Sequence, residues 1–385
     1  MDIVEVARSL QPLVRAHADD GERNRRLSDP VRKEMASAGL FRMGAPAEYG
    51  GGEVDPKSMI RAIEAISEAD GATGWTLMIG VETVGIAFAA LAPEAAQAIL
   101  GDQPDVVFSG SINALGRVRR VAGGYVVNGR WQYASGCDGA DYFWGGCTVL
   151  GADGQPELTR NGHPVAIQVI VPRSQYTVVE TWQAAGLCGS GSHDVEILDV
   201  FVPQEHTTDL YGAGMHVDSP LYRMHPYSRL AFNKVGVATG IARAALDAFR
   251  TLATEKTPFT TSALLRERPQ AQLAMAEAEA RLRSARAFVF EAVDTVWQVA
   301  KEGRHATPEE RAMVRLASSH CCAEAVHAVE TVYAQAGITA SFPSSPLERL
   351  SRDVRVVPQH VMVAPSAIAS AGRVLLGMDP GTFVF

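Results

Sequence analysis

The chain has 385 residues, 47% hydrophobic and 20% charged, with a net charge of −8. These values exclude a disordered, collagen-like or coiled-coil chain, and the acidic balance argues against a general affinity for nucleic acid or an anionic membrane. The length asks for two or three domains, and an aromatic share of only 7% implies a core built largely from Ala, Val and Leu.

Residues 1–5 show no basic region leading into an apolar run, so no secretory leader is expected. The longest apolar run, 84–92, is too short to span a bilayer, and no membrane partner is expected. Five cysteines, two of them adjacent at Cys321 and Cys322, lack zinc-type spacing and read as reduced thiols in a cytoplasmic protein without a metal.

In chain order, residues 1–104 form a helical zone. Val4, Ala7, Leu10, Leu13 and Val14 recur at helical spacing, as do Met59, Ile60, Ile63 and Ile66. The stretch 76–91 is apolar almost throughout, which predicts a helix buried on nearly every side. Residues 105–215 change period. Strands are expected at 105–109, 124–127, 165–171, 176–179 and 195–202, with Asn128-Gly129 as a hairpin turn. Residues 216–385 are helical again. Met275, Ala278, Leu282, Ala285, Val289, Ala292, Val293 and Val296 form one stripe, and Cys322, Ala325, Val329, Val332 and Ala336 a second. The small residues permit close packing of a bundle. The order helices, sheet, helices gives an α+β class and argues against a doubly wound fold.

Familiar catalytic signatures are absent. There is no G-x-G-x-x-G after a strand, no phosphate-binding Walker loop, no H-E-x-x-H and no G-x-S-x-G. Glycines 186, 189 and 191 lie between β segments and read as a tight turn.

Four stretches carry a resemblance. The block from Gly123 to Gly136, with Trp131, Tyr133, Ala134 and Ser135, is similar to a G-x-x-x-x-G-x-K-x-W-I-T block. The segment from Thr181 to Val195, with Gly186, Cys188, Gly189, Ser192 and His193, resembles a G-x-R-G-T-x-S-x-x-V block in which Cys188 replaces the arginine. Gln335-Ala-Gly337 looks like a reduced Q-x-x-G-G turn. Leu347-Glu-Arg349-Leu-Ser-Arg352-Asp353 is close to an E-R-L-x-R-D helix. Together they resemble the acyl-CoA dehydrogenase superfamily over most of the chain, nearest to its two-component flavin-dependent monooxygenases.

The resemblance implies an N-terminal helical domain (1–104), a central antiparallel β-barrel domain (105–215) and a C-terminal four-helix bundle (216–385). It implies bound FMN or FAD in reduced form. Tyr133, Ala134, Ser135 and Ser109 would face the flavin, and Gln335 and Gly337 would touch a flavin held by a neighbouring subunit. The companion arginine of that contact is not evident near Pro258, Phe259, Thr260 and Thr261. The dehydrogenase branch places a catalytic glutamate after the E-R-L-x-R-D helix or near the start of the helix holding Lys234. Here the first stretch reads Val356-Val-Pro358-Gln359-His360-Val-Met362 and the second offers Leu230, so no carboxylate stands at either place. His360 is the expected catalytic residue. A neutral imidazole can deprotonate a phenol or donate a hydrogen bond near neutral pH. Glu82 and Thr83 occupy the region where phenol hydroxylases of this branch carry another histidine. They are expected substrate contacts, and Glu82 needs a partner or a raised pKa in so apolar a stretch. His193 is expected to be structural or to line the substrate site.

The expected function is therefore a flavin-dependent monooxygenase that oxygenates an aromatic, polycyclic or amine-bearing small molecule. Lacking a nicotinamide site, it needs a separate NAD(P)H:flavin reductase, and it is expected to be a homo-oligomer, dimer or tetramer. The alternatives are an acyl-CoA dehydrogenase, whose base would be Glu82 or an unmatched acid, and a non-catalytic flavin- or ligand-binding relative.

Overall fold

The computed structural model describes residues 2–210, 214–259, 261–382 and 384–385; Thr260 and Met1, used in the sequence reading, lie outside them. Helix α1 (Ile3–Asn24) opens on Asp2, whose carboxylate accepts the Val4 N–H, and it ends at Arg25 in the left-handed region. Helix α2 (Asp29–Ser37) follows, then α3 (Pro56–Ala69), capped by Asp55. Asp70 ends α3 and caps α4 (Gly71–Ala90) by accepting the Thr73 N–H at 2.8 Å. Every residue of α4 except Ile79 is buried, as its continuous apolarity predicts. The short α5 (Pro93–Ala96) completes this region.

One expectation is corrected here. Helix α4 is by length and composition apolar enough to cross a bilayer, with mean hydropathy 1.3 in its most apolar window. That window is 94% buried within the protein, so its apolarity is used for packing.

The central sheet holds β1 (Phe108–Val121), β2 (Gly124–Trp131), β3 (Tyr142–Leu150), β4 (Ala166–Pro172), β5 (Thr177–Val179), β6 (Asp194–Pro203) and β7 (Thr207–Thr208). The order is β5-β6-β2-β1-β3-β4-β7. Two expectations change. The sheet is mixed, because β3 lies on the far side of β1 from β2 and pairs with β1 in parallel; its outer strands, β5 and β7, do not pair to close a barrel. The hairpin turn is at Ala122-Gly123, where Val121 pairs with Gly124 and Gly123 has φ +80°. Asn128 and Gly129 lie inside β2 at a register shift against β6. Gly129 serves close packing there, since a Cβ would stand 2.6 Å from Gly116 Cα and 2.8 Å from the Trp131 ring. Asn128 clasps Asp199 across the bulge through its amide oxygen and nitrogen.

The last region contains α6 (Pro220–Arg223), α7 (Pro226–Glu255), α8 (Pro269–Lys301), α9 (Pro308–Ala336), α10 (Pro346–Val356) and α11 (Pro365–Leu375). Both predicted stripes are buried apart from the half-buried Met275. The bundle has three long helices; its fourth position is split into α10, against α7 and α9, and α11, against α9. Pro358 and Pro365 account for the split, since proline cannot continue a helix hydrogen-bond ladder. The break frees residues 357–364 to turn inward, and His360 lies in it.

Candidate active site

The end of β2 and the loop before β6 make a polar cradle. Ala134 N–H donates to His193 O at 2.9 Å and Gly136 N–H to Ser190 O at 2.9 Å. Tyr133 has φ +61°, an unfavourable backbone for a side chain that is nonetheless 68% exposed. Its ring meets the Trp182 ring edge-on, 6.4 Å away. Folding alone does not explain a strained, exposed aromatic beside a second one; a flat ring laid on them would use both. Beneath them Ser135 Oγ is buried, 2.7 Å from Ser192 Oγ, which is 2.8 Å from Ser190 Oγ.

The loop that carries Trp182 is held from three sides. Arg25 Nη1 donates to Trp182 O and Ala184 O, both at 3.1 Å. The Leu187 N–H donates to Asp353 Oδ1 at 2.6 Å. Gly186 lets the loop reach α10, since a Cβ there would stand 2.4 Å from Arg352 O. Arg349 and Arg352 in turn pair with Glu22 of α1. The E-R-L-x-R-D motif is thus a clamp between α10, α1 and the cradle loop. Burial and the nearby Asp70 raise Asp353 to about 7.

Trp75 connects the cradle to the bundle. Its Nε1–H donates to Ser135 Oγ at 3.0 Å, and its ring meets the His360 ring edge-on at 5.8 Å. His360 Nδ1 accepts the Met362 N–H at 3.2 Å. Burial, with Lys234 and Arg315 nearby, holds the imidazole well below its usual pKa. The ring is therefore neutral, with its proton on Nε2. It is a hydrogen-bond donor in this state, which sharpens the sequence reading of a donor or a base.

Glu82 has the partner its setting requires. Lys234 Nζ lies 2.9 and 2.7 Å from its two oxygens, with both side chains buried. Burial raises Glu82 to about 7 and lowers Lys234. Glu82 is thus engaged by the bundle, with the partner that so apolar a stretch requires. His193 takes the structural one of its two expected roles. Its Nδ1 accepts the Thr181 and Trp182 N–H groups at 3.1 Å each, and its Nε2 lies 3.7 Å from Asp138, so the ring positions Trp182.

Thr83 donates to Ile79 O at 2.8 Å and packs against Gly110. Its neighbour in the sheet, Ser109, is fully buried with an unpaired Oγ. Trp75, the half-buried Ile79 and Thr83 recur every four residues, so one face of α4 runs from His360 toward Ser109 and Gly110. Gln335 and Gly337 sit apart from this group at the end of α9, where Gly337 caps the helix with φ +62°. Sequence reasoning missed Lys234, Ser190 and Trp75 as site residues. A lysine inside an apolar helix and a Gly-Trp pair in α4 are the signals that could have found them.

A cradle walled by one exposed and one half-buried aromatic over a buried hydroxyl, on this fold, defines a flavin oxidoreductase of acyl-CoA dehydrogenase architecture. Two family models match: the acyl-CoA dehydrogenase N-terminal domain over residues 4–99 and the C-terminal domain over 234–365. The chain is 34% identical to an indole-3-acetate monooxygenase of Pseudomonas putida, covering 95% of this chain and 91% of that protein. It is 28% identical to the FADH2-dependent resorcinol hydroxylase, oxygenase component, of Rhizobium sp. (strain MTP-10005), covering 96% and 92%. The solved structure of 3-HSA hydroxylase from Rhodococcus sp. RHA1 superposes with a TM-score of 0.89 at 26% identity, covering 100% and 99%. The chain belongs to the acyl-CoA dehydrogenase-like flavin-dependent monooxygenases. It is an oxidoreductase that acts on a small molecule with reduced flavin supplied through a separate reductase.

Proposed function

We infer that the chain oxygenates an aromatic or fused-ring small molecule, with His360 directing the transfer. The observation that carries this is the setting of His360: its Nδ1 accepts the Met362 N–H, which leaves the proton of the neutral ring on Nε2, and its ring meets the tryptophan that holds Ser135. The residues present fit a flavin. Tyr133 and Trp182 would hold its ring, and Ser135 and the local backbone would meet its polar edge. A bound reduced flavin would supply two electrons to dioxygen, so that one oxygen atom would enter the substrate and the other would leave as water. The protein orients the reactants and keeps water out. Trp75 fixes the Ser135 hydroxyl, and His360 Nε2–H donates to an oxygen at the reacting centre. The acyl-CoA dehydrogenase alternative is weakened, since Glu82, the base named for it, is bound on both oxygens by Lys234.

Gln335 and Gly337 are distant from the cradle in their own chain, which supports a dimer or tetramer in which they meet a partner's flavin. A cytoplasmic location suits five unpaired cysteines, all buried. The test supplies the purified protein with reductase, NADH, FMN or FAD, and oxygen, and offers phenols and indoles. Oxygenated product formed with consumption of one dioxygen per product is expected. Hydrogen peroxide alone from every aromatic, together with anaerobic bleaching of the flavin by an acyl-CoA, would overturn the reading.

A further inference from the structure

We propose that Asp353 and Asp70 form a carboxyl pair that carries one proton between them, and that this proton latches the cradle loop onto α10 and α4. The latch concerns the loop itself and does not depend on which substrate is oxygenated.

Both residues line a cavity of about 900 Å3 bounded by α1, α7, α10 and the junction of α3 with α4. Asp353 is 3% exposed and Asp70 8%. Asp353 Oδ2 faces the first residue of α4, since a Cβ added at Gly71 would stand 3.4 Å from it. Asp70 caps that same helix end: its Oδ2 accepts the Thr73 N–H at 2.8 Å and the Thr73 hydroxyl at 2.7 Å. Two buried carboxyl groups therefore meet at one helix terminus.

The other charges around the cavity are answered elsewhere. Glu22 of α1 pairs with Arg349 and Arg352, Asp19 with Arg349, and Glu348 with Arg352. Arg15 and Arg23 of α1 bond Gln11 and Asp20. Glu68 of α3 accepts the Gln11 amide, and Asp247 of α7 pairs with Arg250. On the loop side, burial holds the Cys188 thiol above its ordinary value. Among the described residues neither Asp70 nor Asp353 forms an ion pair; Arg349 acts on Asp70 and Arg352 on Asp353 only at longer range.

Two anions so placed repel each other with little water between them. Asp70 accepts two hydrogen bonds and sits at a helix N-terminus, which favours its charge. Asp353 accepts one, from the Leu187 N–H to Oδ1 at 2.6 Å, so the proton rests on its Oδ2. Burial first, and Asp70 second, raise Asp353 to about 7. The cavity gives this proton a route to solvent.

The loop it holds is under tension. Leu187 has φ +50°, a left-handed backbone that a leucine adopts only when held. Three residues on, Ser190 O accepts the Gly136 N–H, and Ser190 Oγ leads through Ser192 to Ser135. The docking of Leu187 on Asp353 thus sets the hydroxyl beneath the cradle. Undocked, Asp353 is solvated and ionises near its ordinary 3.8. Between 3.8 and about 7 the docked loop therefore holds one proton more than the undocked loop. Docking is strongest at low pH, weakens as pH rises toward 7, and is level above it.

The test follows hydrogen exchange of residues 184–193 by mass spectrometry in full-length wild type and Asp353→Asn, compared at equal pH so that intrinsic rates cancel. The amide keeps an acceptor for Leu187 and removes the charge. The ratio of wild-type to variant exchange should grow severalfold from pH 5.5 to 7.5, about thirtyfold at most for a docked value of about 7, and then level off. A ratio that does not change with pH, or that falls, overturns the proposal, because Asp353 would then serve only as an acceptor. If Asp353→Asn does not fold, Asp70→Asn removes the repelling charge and keeps a capping acceptor; it should narrow the pH dependence of loop exchange, and an unchanged dependence overturns the proposal. Riboflavin, which has no phosphate to titrate, should bind Asp353→Asn more tightly than wild type at pH 8, and equal or weaker binding there overturns the link to the cradle. Failure of riboflavin to bind either protein would count against the flavin site, and the exchange ratio would still decide the latch.

Discussion

The Glu82–Lys234 pair predicts two single variants with opposite pH dependence. In Glu82→Leu the lysine is left buried without an anion. Its cheapest escape is to lose its proton, which at pH 7 costs the gap from its ordinary 10.5, about 5 kcal/mol at ~1.4 kcal/mol per unit. In Lys234→Met the carboxyl escapes by gaining a proton, which costs the gap from 4.5, about 3.4 kcal/mol. These are upper limits, because each group deprotonates or protonates once holding its charge costs more. The signs follow from the folded values. An unpaired Lys234 is depressed below its unfolded value, so Glu82→Leu is least stable at low pH and regains stability as pH rises toward 10.5. An unpaired Glu82 is raised, so Lys234→Met is most stable at low pH and loses stability as pH climbs above 4.5. For 385 residues, about 2.1 cal/mol/K per residue makes 3–5 kcal/mol a Tm loss of about 4–6 °C. Thermal scans of both variants between pH 5.5 and 9 read this directly. The double variant Glu82→Leu, Lys234→Met should return close to wild type, since an apolar pair avoids the desolvation of two charges. Singles within 1 kcal/mol of wild type, or pH slopes of the same sign, would refute the reasoning.

His360→Asn should raise hydrogen peroxide release and lower the fraction of NADH oxidation that yields oxygenated product, measured as product per NADH. Because His360 is held well below its usual pKa, that fraction in wild type should not fall from pH 8 to pH 6 through protonation of this ring, whereas a group at 6.5 would halve its neutral form by pH 6.5. Tyr133→Ala should weaken flavin binding severalfold, about 0.5–1.5 kcal/mol for a lost aromatic contact, read by fluorescence titration with FMN and FAD. Gly116→Ala should destabilise by roughly 1–3 kcal/mol, read by urea unfolding, because a Cβ would enter the Trp131 ring at 2.2 Å.

The helices were legible because their periodicity is strong and their core needs little detail. Every residue of both bundle stripes is buried or half-buried, and the apolar run of α4 is buried as its composition requires. The strands were less legible. The sequence reading passed over β3, whose two glycines dilute its strand character although Tyr142, Phe143 and Trp144 precede them. Asn128-Gly129 misled because Asn-Gly reports a turn only when the glycine needs positive φ. Here the glycine is wanted for the absence of a Cβ beside Trp131, and no local pattern distinguishes those needs.

The site divides along the same line. Ser135, Tyr133 and His360 were singled out through motifs, and the structure links Ser135 to His360 through Trp75, which no spacing rule would pair with either. Lys234, Arg315 and Arg229 were not singled out, for a general reason. A charged residue in an apolar helix reads as tolerated surface until its burial is known, and only three-dimensional accounting shows whether each charge is answered. That accounting separates the three. Lys234 is answered by Glu82; Arg229 lies over the Tyr222 ring at 4.9 Å with Nη1 unpaired. Arg315 has a sulfur and a distant carbonyl. Two arginines and one lysine that look alike in the sequence thus differ in how their charge is met, and that difference is set by which elements the fold packs against them.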